Sequence, residues 1–199
     1  MIIVVAALKG GVGKTTTSVY LAAVASASRR AVTLIDADAQ ASAAEWIEQA
    51  DGEPLEAVTV VEAPTGRLLT RALGRIDPDE VGIVDSAPGN ERMLEQAMSV
   101  ADCIVIPTRV GGVETARAEE VFDMVPRKTP AGLVICSART STRDYQDAIA
   151  AWRAAQVPVW GSVPERVSIA SGPDRALASD GLDNYRSIWR RALRSLRDA

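Results

Sequence analysis

Residues 8–16 read LKGGVGKTT. The second half fits the phosphate-cradling pattern G-x-x-x-x-G-K-[ST], with Gly13, Lys14 and Thr15 in place. That pattern wants glycine at position 8, where this chain has Leu8, and a second cation, Lys9, stands beside it. Gly10, Gly11 and Gly13 let the backbone turn tightly and bring N–H groups up to a polyphosphate. Val12 and Thr16 belong to the same nucleotide-binding run. A helix starting near Lys14 adds its partial positive end. Lys14 would neutralise the terminal phosphates and the Thr15 hydroxyl would ligate Mg²⁺.

Lysine usage sharpens this reading. Of 22 cationic residues only Lys9, Lys14 and Lys128 are lysines, and two of them fall within six residues. At Lys14 a compact point charge fits between phosphate oxygens where arginine's planar fork would not. The same demand falls on Lys9.

Outward from the loop, short apolar runs alternate with helical stretches. Strands are expected at 2–8, 31–36, 57–63, 81–85, 102–108, 131–138 and 157–163. Helices are expected at 14–28, 39–50, 65–76, 91–101, 113–125 and 142–155, and from about 182 to the end. The strands are nearly unbroken apolar runs, as strands buried on both faces are. The expected fold is α/β: a mostly parallel twisted sheet with helices on both faces. Its 199 residues suit one domain, 1–199. With 47% hydrophobic but only 4% aromatic residues, the core must be built from Ala, Val, Leu and Ile.

In such sheets ligands bind beyond the carboxyl ends of the strands. Lys9 to Thr16 follow the first strand, Asp36 and Asp38 the second, and Asp85 ends the fourth. Asp85 reads as a second metal-site carboxylate holding a water of the Mg²⁺ shell. Of Asp36 and Asp38, one could support the metal while the other orients attacking water.

Together, KGGVGKTT (9–16), DADAQ (36–40) and DSAP (85–88) resemble the deviant Walker motifs of the ParA/MinD group of P-loop ATPases. The resemblance covers residues 1–110 well and the rest by order of elements; Ala39 departs from the common D-x-D-P-Q. It implies ATP and ADP as ligands, with Mg²⁺. It implies an ATP-dependent homodimer in which Lys9 crosses to the partner's phosphates, much as an arginine finger acts in trans. By the same carry-over Asp38 positions the hydrolytic water, Asp36 supports the Mg²⁺ site, and Asp85 with Pro88 begins the second switch loop. The segment 162–172, SVPERVSIASG, resembles the one that frames adenine, which places Pro164 and Arg166 near the base. Arg139 stands where many P-loop proteins carry a base-contacting asparagine.

Charge is uneven. Residues 1–100 carry 8 Lys/Arg against 14 Asp/Glu, and residues 101–199 carry 14 against 12. Arg186, Arg190, Arg191, Arg194 and Arg197 crowd the tail; Arg190, Arg194 and Arg197 share a helix face and Arg186 joins them four residues earlier. The stripe is either an anion-binding face or a solvated surface. The resemblance offers two functions. In a short partition ATPase the ATP dimer binds DNA without sequence preference, through such arginines and with Arg139, Arg143 and Arg166 as further contacts. A centromere-binding ParB-like adaptor then stimulates hydrolysis. In a MinD-like ATPase the last helix dips into lipid, and Tyr185, Ile188, Trp189, Leu193 and Leu196 do form an apolar face. The same pattern fits a helix packed on its own domain.

Minimal length and a DADAQ close to D-x-D-P-Q favour partition, and a start at the first strand, with no room for a helix-turn-helix, resembles the short partition ATPases that do not act alone as operator-binding repressors. Cys103 and Cys136 sit in apolar strands, as free thiols of a cytoplasmic protein would. No run approaches a membrane span.

Overall fold

The structure, a computed structural model, describes residues 1–50, 54–166, 169 and 177–198. Among the described residues, seven strands and seven helices alternate: β1 (Ile2–Val5), α1 (Lys14–Ser26), β2 (Val32–Asp36), α2 (Ser42–Gln49), β3 (Val58–Glu62), α3 (Gly66–Leu73), β4 (Val81–Asp85), α4 (Glu91–Met98), β5 (Cys103–Thr108), α5 (Gly112–Asp123), β6 (Ala131–Ala138), α6 (Arg143–Ala154), β7 (Val159–Pro164) and α7 (Ser179–Asp198). The strands form one sheet in the order β3-β2-β4-β1-β5-β6-β7. Every neighbouring pair is parallel.

The unbroken apolar strands follow from cover on both faces. Along β1, Ile3 and Val5 enter one core with α1, α2 and α7. Val4, between them, enters the other with α3 to α6. Such pleat-related alternation needs apolar side chains at every position. Both cysteines are buried and free, on β5 and β6.

Strand β1 lies between β4 and β5, where the strand order reverses direction. Ligands of open α/β sheets bind at that point. Register brings the motifs together there: Val5 is paired with Asp85, and Asp36 with Asp85.

Several boundaries differ from the sequence reading, and two of them shape the site. The first strand ends at Val5 rather than residue 8, because the chain must leave the sheet to form the phosphate loop. The helix expected from 39 begins at Ser42 after Ala41 in the left-handed conformation (φ 50°). The cause is Asp36, whose Oδ2 accepts the N–H groups of Ala43 and Ala44 at 2.9 and 3.0 Å. Residues 37–41 curl so that the helix start meets that carboxylate, which caps it in place of the usual Ser or Asp at the preceding residue.

Candidate functional site: a phosphate loop at the sheet's switch point

The loop after β1 closes on α1. Gly11 and Gly13 have φ of 75° and 98°, where a side chain is strained. At Gly13 space forbids one as well: a Cβ would lie 2.9 Å from Cys136 Sγ. Lys14 opens α1 and is only 7% exposed. Its ammonium donates to the Lys9 carbonyl at 3.4 Å. Burial lowers its pKa, and the Asp85 and Asp38 carboxylates oppose that shift.

Asp85 is the centre of the acidic side. Thr15 Oγ1 donates to its Oδ2 and Ser18 Oγ to its Oδ1, each at 2.9 Å. Burial pushes its pKa up to about 7, aided by Asp36; the two hydroxyl donors and Lys14 act the other way. The Thr15–Asp85 pair fits Mg²⁺, which is usually held by one or two protein oxygens and completed by substrate phosphates and water. Among the described residues no cluster of three or more His, Cys, Asp or Glu could hold a metal without such help.

A pH effect follows. Asp85 has a folded pKa of about 7 against an ordinary 3.8. The folded chain therefore favours the protonated acid, and loses stability as pH rises from near 4 through 7. Asp85→Asn removes that penalty. We expect it to stabilise the nucleotide-free protein by about 1–3 kcal/mol at pH 8, allowing for imperfect replacement of the hydroxyl bonds. The gain should vanish near pH 4. Thermal melts across this range check it; a variant less stable than wild type at pH 8 would contradict it.

The two other aspartates part company. Asp36 is fully buried, and besides capping α2 its Oδ1 accepts the Asp38 N–H at 3.0 Å. Three N–H donors thus occupy its oxygens. Asp38 is half-buried, with Oδ1 accepting the Gln40 N–H at 3.0 Å.

Pro164 and Arg166 do come beside the loop. With Gly13, Thr16, Val163, Ile169 and Tyr185 they line a cavity of about 60 Å³. The rest of the expected adenine segment, 167–168 and 170–172, lies outside the described residues. Arg139 is absent from this lining and pairs instead with Glu165. Arg109, which the sequence reading did not single out, reaches the cavity from the turn after β5.

From helix α7, Tyr185 lines the cavity. Tyr185, fully buried, shares a hydrogen bond of 3.0 Å with Thr17 of α1 and stacks on Tyr20 at 5.0 Å. Ile188, Trp189 and Ala192 are buried in the same core. The apolar face of α7 is therefore packed on its own domain. The arginines face outward: Arg186 pairs with Asp183 at 2.7 Å, and Arg191 donates to the Val159 carbonyl at 3.1 Å. Arg190, Arg194 and Arg197 are exposed and form no ion pair among the described residues.

A parallel sheet with a glycine loop, a buried lysine and a threonine–aspartate pair at its switch point defines a P-loop nucleotide-binding protein. The profile of the CobQ/CobB/MinD/ParA nucleotide binding domain matches residues 3–178, and the chain belongs to that family. It is 33% identical over 146 residues to maintenance of carboxysome distribution protein A of Gloeobacter kilaueensis, covering 73% of this chain and 66% of that one. It is 30% identical over 131 residues to Protein ParA of Rhizobium radiobacter, covering 65% and 58%. The matched region thus spans less than two thirds of either relative. The fold matches the septum site-determining protein MinD of Pyrococcus horikoshii OT3, complexed with Mg-ADP. The TM-score is 0.77 at 19% identity, over 96% of this chain and 94% of that one.

Proposed function

We propose that the chain is a ParA-like partition ATPase. Its ATP-bound homodimer holds DNA without sequence preference, and slow hydrolysis to ADP and phosphate releases it. The observation that carries this reading is the contrast between the two loop lysines. Lys14 is buried at the phosphate site, whereas the Lys9 side chain is 41% exposed at the rim. A cation so placed is available to a second copy of the chain. Lys14 and the loop N–H groups would bind the triphosphate, Thr15 and Asp85 would hold Mg²⁺, and Asp38 would orient water. Asp36 would act by fixing the Asp38 turn. Bound Mg²⁺ supplies charge stabilisation for the transferring phosphoryl group.

DNA would lie on the outer face of α7, along Arg190, Arg194 and Arg197. A ParB-like adaptor would time hydrolysis in the cytoplasm, over the nucleoid. The burial of Tyr185, Ile188 and Trp189 weighs against the MinD-like alternative, because lipid contact would require α7 to undock. Among the described residues no helix is long and apolar enough to cross a membrane.

The test is fluorescence anisotropy on arbitrary duplex DNA with ATP or ADP, beside co-sedimentation with anionic vesicles. We expect ATP-dependent DNA binding and none to vesicles. Replacing Arg190, Arg194 and Arg197 by alanine should lower DNA affinity at least about tenfold. It should also flatten the slope of log affinity against log salt by about one unit per lost phosphate contact. Unchanged affinity would move the DNA face elsewhere; vesicle binding without DNA binding would replace the partition reading.

A further inference from the structure

The Lys9 ammonium has a partner on its own chain. It donates to Glu114 Oε1, in the first turn of α5. That bond is the chief cause of the lowered Glu114 pKa. The turn between β5 and α5 is built around the contact. Thr108 Oγ1 donates to the Glu114 carbonyl at 3.2 Å and fixes the turn. At Gly111 a Cβ would stand 2.7 Å from Glu114 Oε2, so the missing side chain leaves room for the carboxylate. The Gly111 φ of 161° is extended backbone that any residue adopts, so a side chain there would meet only the movable end of Glu114. Beside it Val113 is 63% exposed, an apolar side chain at the same rim.

We propose that Glu114 is a positioning residue that holds Lys9 on its own protomer and gives it up only to the triphosphate of a second copy. The inference rests on the reading in which Lys9 acts across an ATP dimer. One carboxylate offers the ammonium a single negative charge. A partner's triphosphate offers several, and loss of the γ-phosphate removes the group nearest a crossing lysine. The internal pair therefore sets how much phosphate charge dimerisation requires, and keeps the ADP state monomeric.

The test uses the whole chain with Glu114→Gln, which keeps shape without charge, and Gly111→Ala, which crowds the carboxylate and leaves both charged groups in place. Sedimentation over a range of protein concentrations, with AMPPNP or ADP, gives the dimer midpoint. A half-exposed ion pair released in each protomer should lower the AMPPNP midpoint about 4- to 25-fold in both variants. The ADP midpoint should fall as well, and the difference from wild type should shrink at high salt. Glu114→Asp should stay near wild type. A merely structural role for Glu114 would change melting temperature without moving the nucleotide or salt dependence. A wild-type chain that dimerises with AMPPNP while both variants keep its midpoint, or raise it, overturns the role of Glu114 alone. A wild-type chain that stays monomeric with AMPPNP overturns the dimer reading and this inference with it.

Discussion

Lys14→Ala should abolish nucleotide binding while leaving the nucleotide-free fold standing. The side chain is 7% exposed, and burial already lowers its pKa, so its ammonium is held at a cost. That cost is repaid when a triphosphate arrives. Without the ligand, alanine removes a buried cation but also a counter-charge to Asp85, so the two effects partly offset. The melting temperature without nucleotide should move by only a few degrees. With ligand the outcome diverges. Saturation at one hundred times Kd adds about 2.7 kcal/mol, which for a chain of this size corresponds to roughly 5–11 °C in Tm. The wild type should show that rise with Mg-ATP and Lys14→Ala should show none. Phosphate release should fall to background. A variant that keeps the ATP-induced rise would mean that the backbone N–H groups bind nucleotide unaided, and the role given to Lys14 would have to be withdrawn.

The fold was legible because its decisive signals are local. Most strands are short, nearly unbroken apolar runs, as burial on both faces demands, although the edge strand β3 exposes Thr59 and Glu62, and glycines mark where β1 must turn into α1. The phosphate loop was legible for the same reason. What escaped is long-range. Ser18 bonds Asp85 across 67 positions, Lys9 meets Glu114 across 105, and Tyr185 meets Thr17 across 168. Nothing in the spacing of a serine one turn after Thr15 shows that it shares a carboxylate with it. Asp36 shows the limit from the other side. The short acidic motif at a strand end does not reveal that Asp36 accepts three N–H groups once α2 folds back on it. The apolar face of α7 was ambiguous for a related reason. Helical periodicity reports that one face is buried, not whether lipid or the same domain buries it. In the structure that face packs on its own domain, with Tyr185 against Thr17 and Tyr20.

Lys9→Ala should separate binding from turnover. Its ammonium is turned toward α5, whereas its carbonyl faces Lys14, so the backbone part of the loop survives the substitution. Mg-ATP should still raise the melting temperature. Hydrolysis should drop by about 10³-fold or more, the scale seen when a cation supplied in trans is removed from a phosphoryl-transfer site. Dimerisation with AMPPNP should weaken in parallel. A mixing experiment isolates the direction of the effect. Asp38→Ala retains Lys9 but lacks the residue proposed to orient water, so alone it too should be silent. In a mixed dimer the Lys9→Ala protomer keeps its own Asp38 and receives Lys9 from its partner, which makes one complete centre. Turnover should therefore reappear on mixing two inactive proteins and rise with the product of their concentrations. If both variants bind ATP and form mixed dimers that stay silent, Lys9 serves its own nucleotide. The exposed rim cation would then have no partner to serve, and hydrolysis would no longer be tied to pairing.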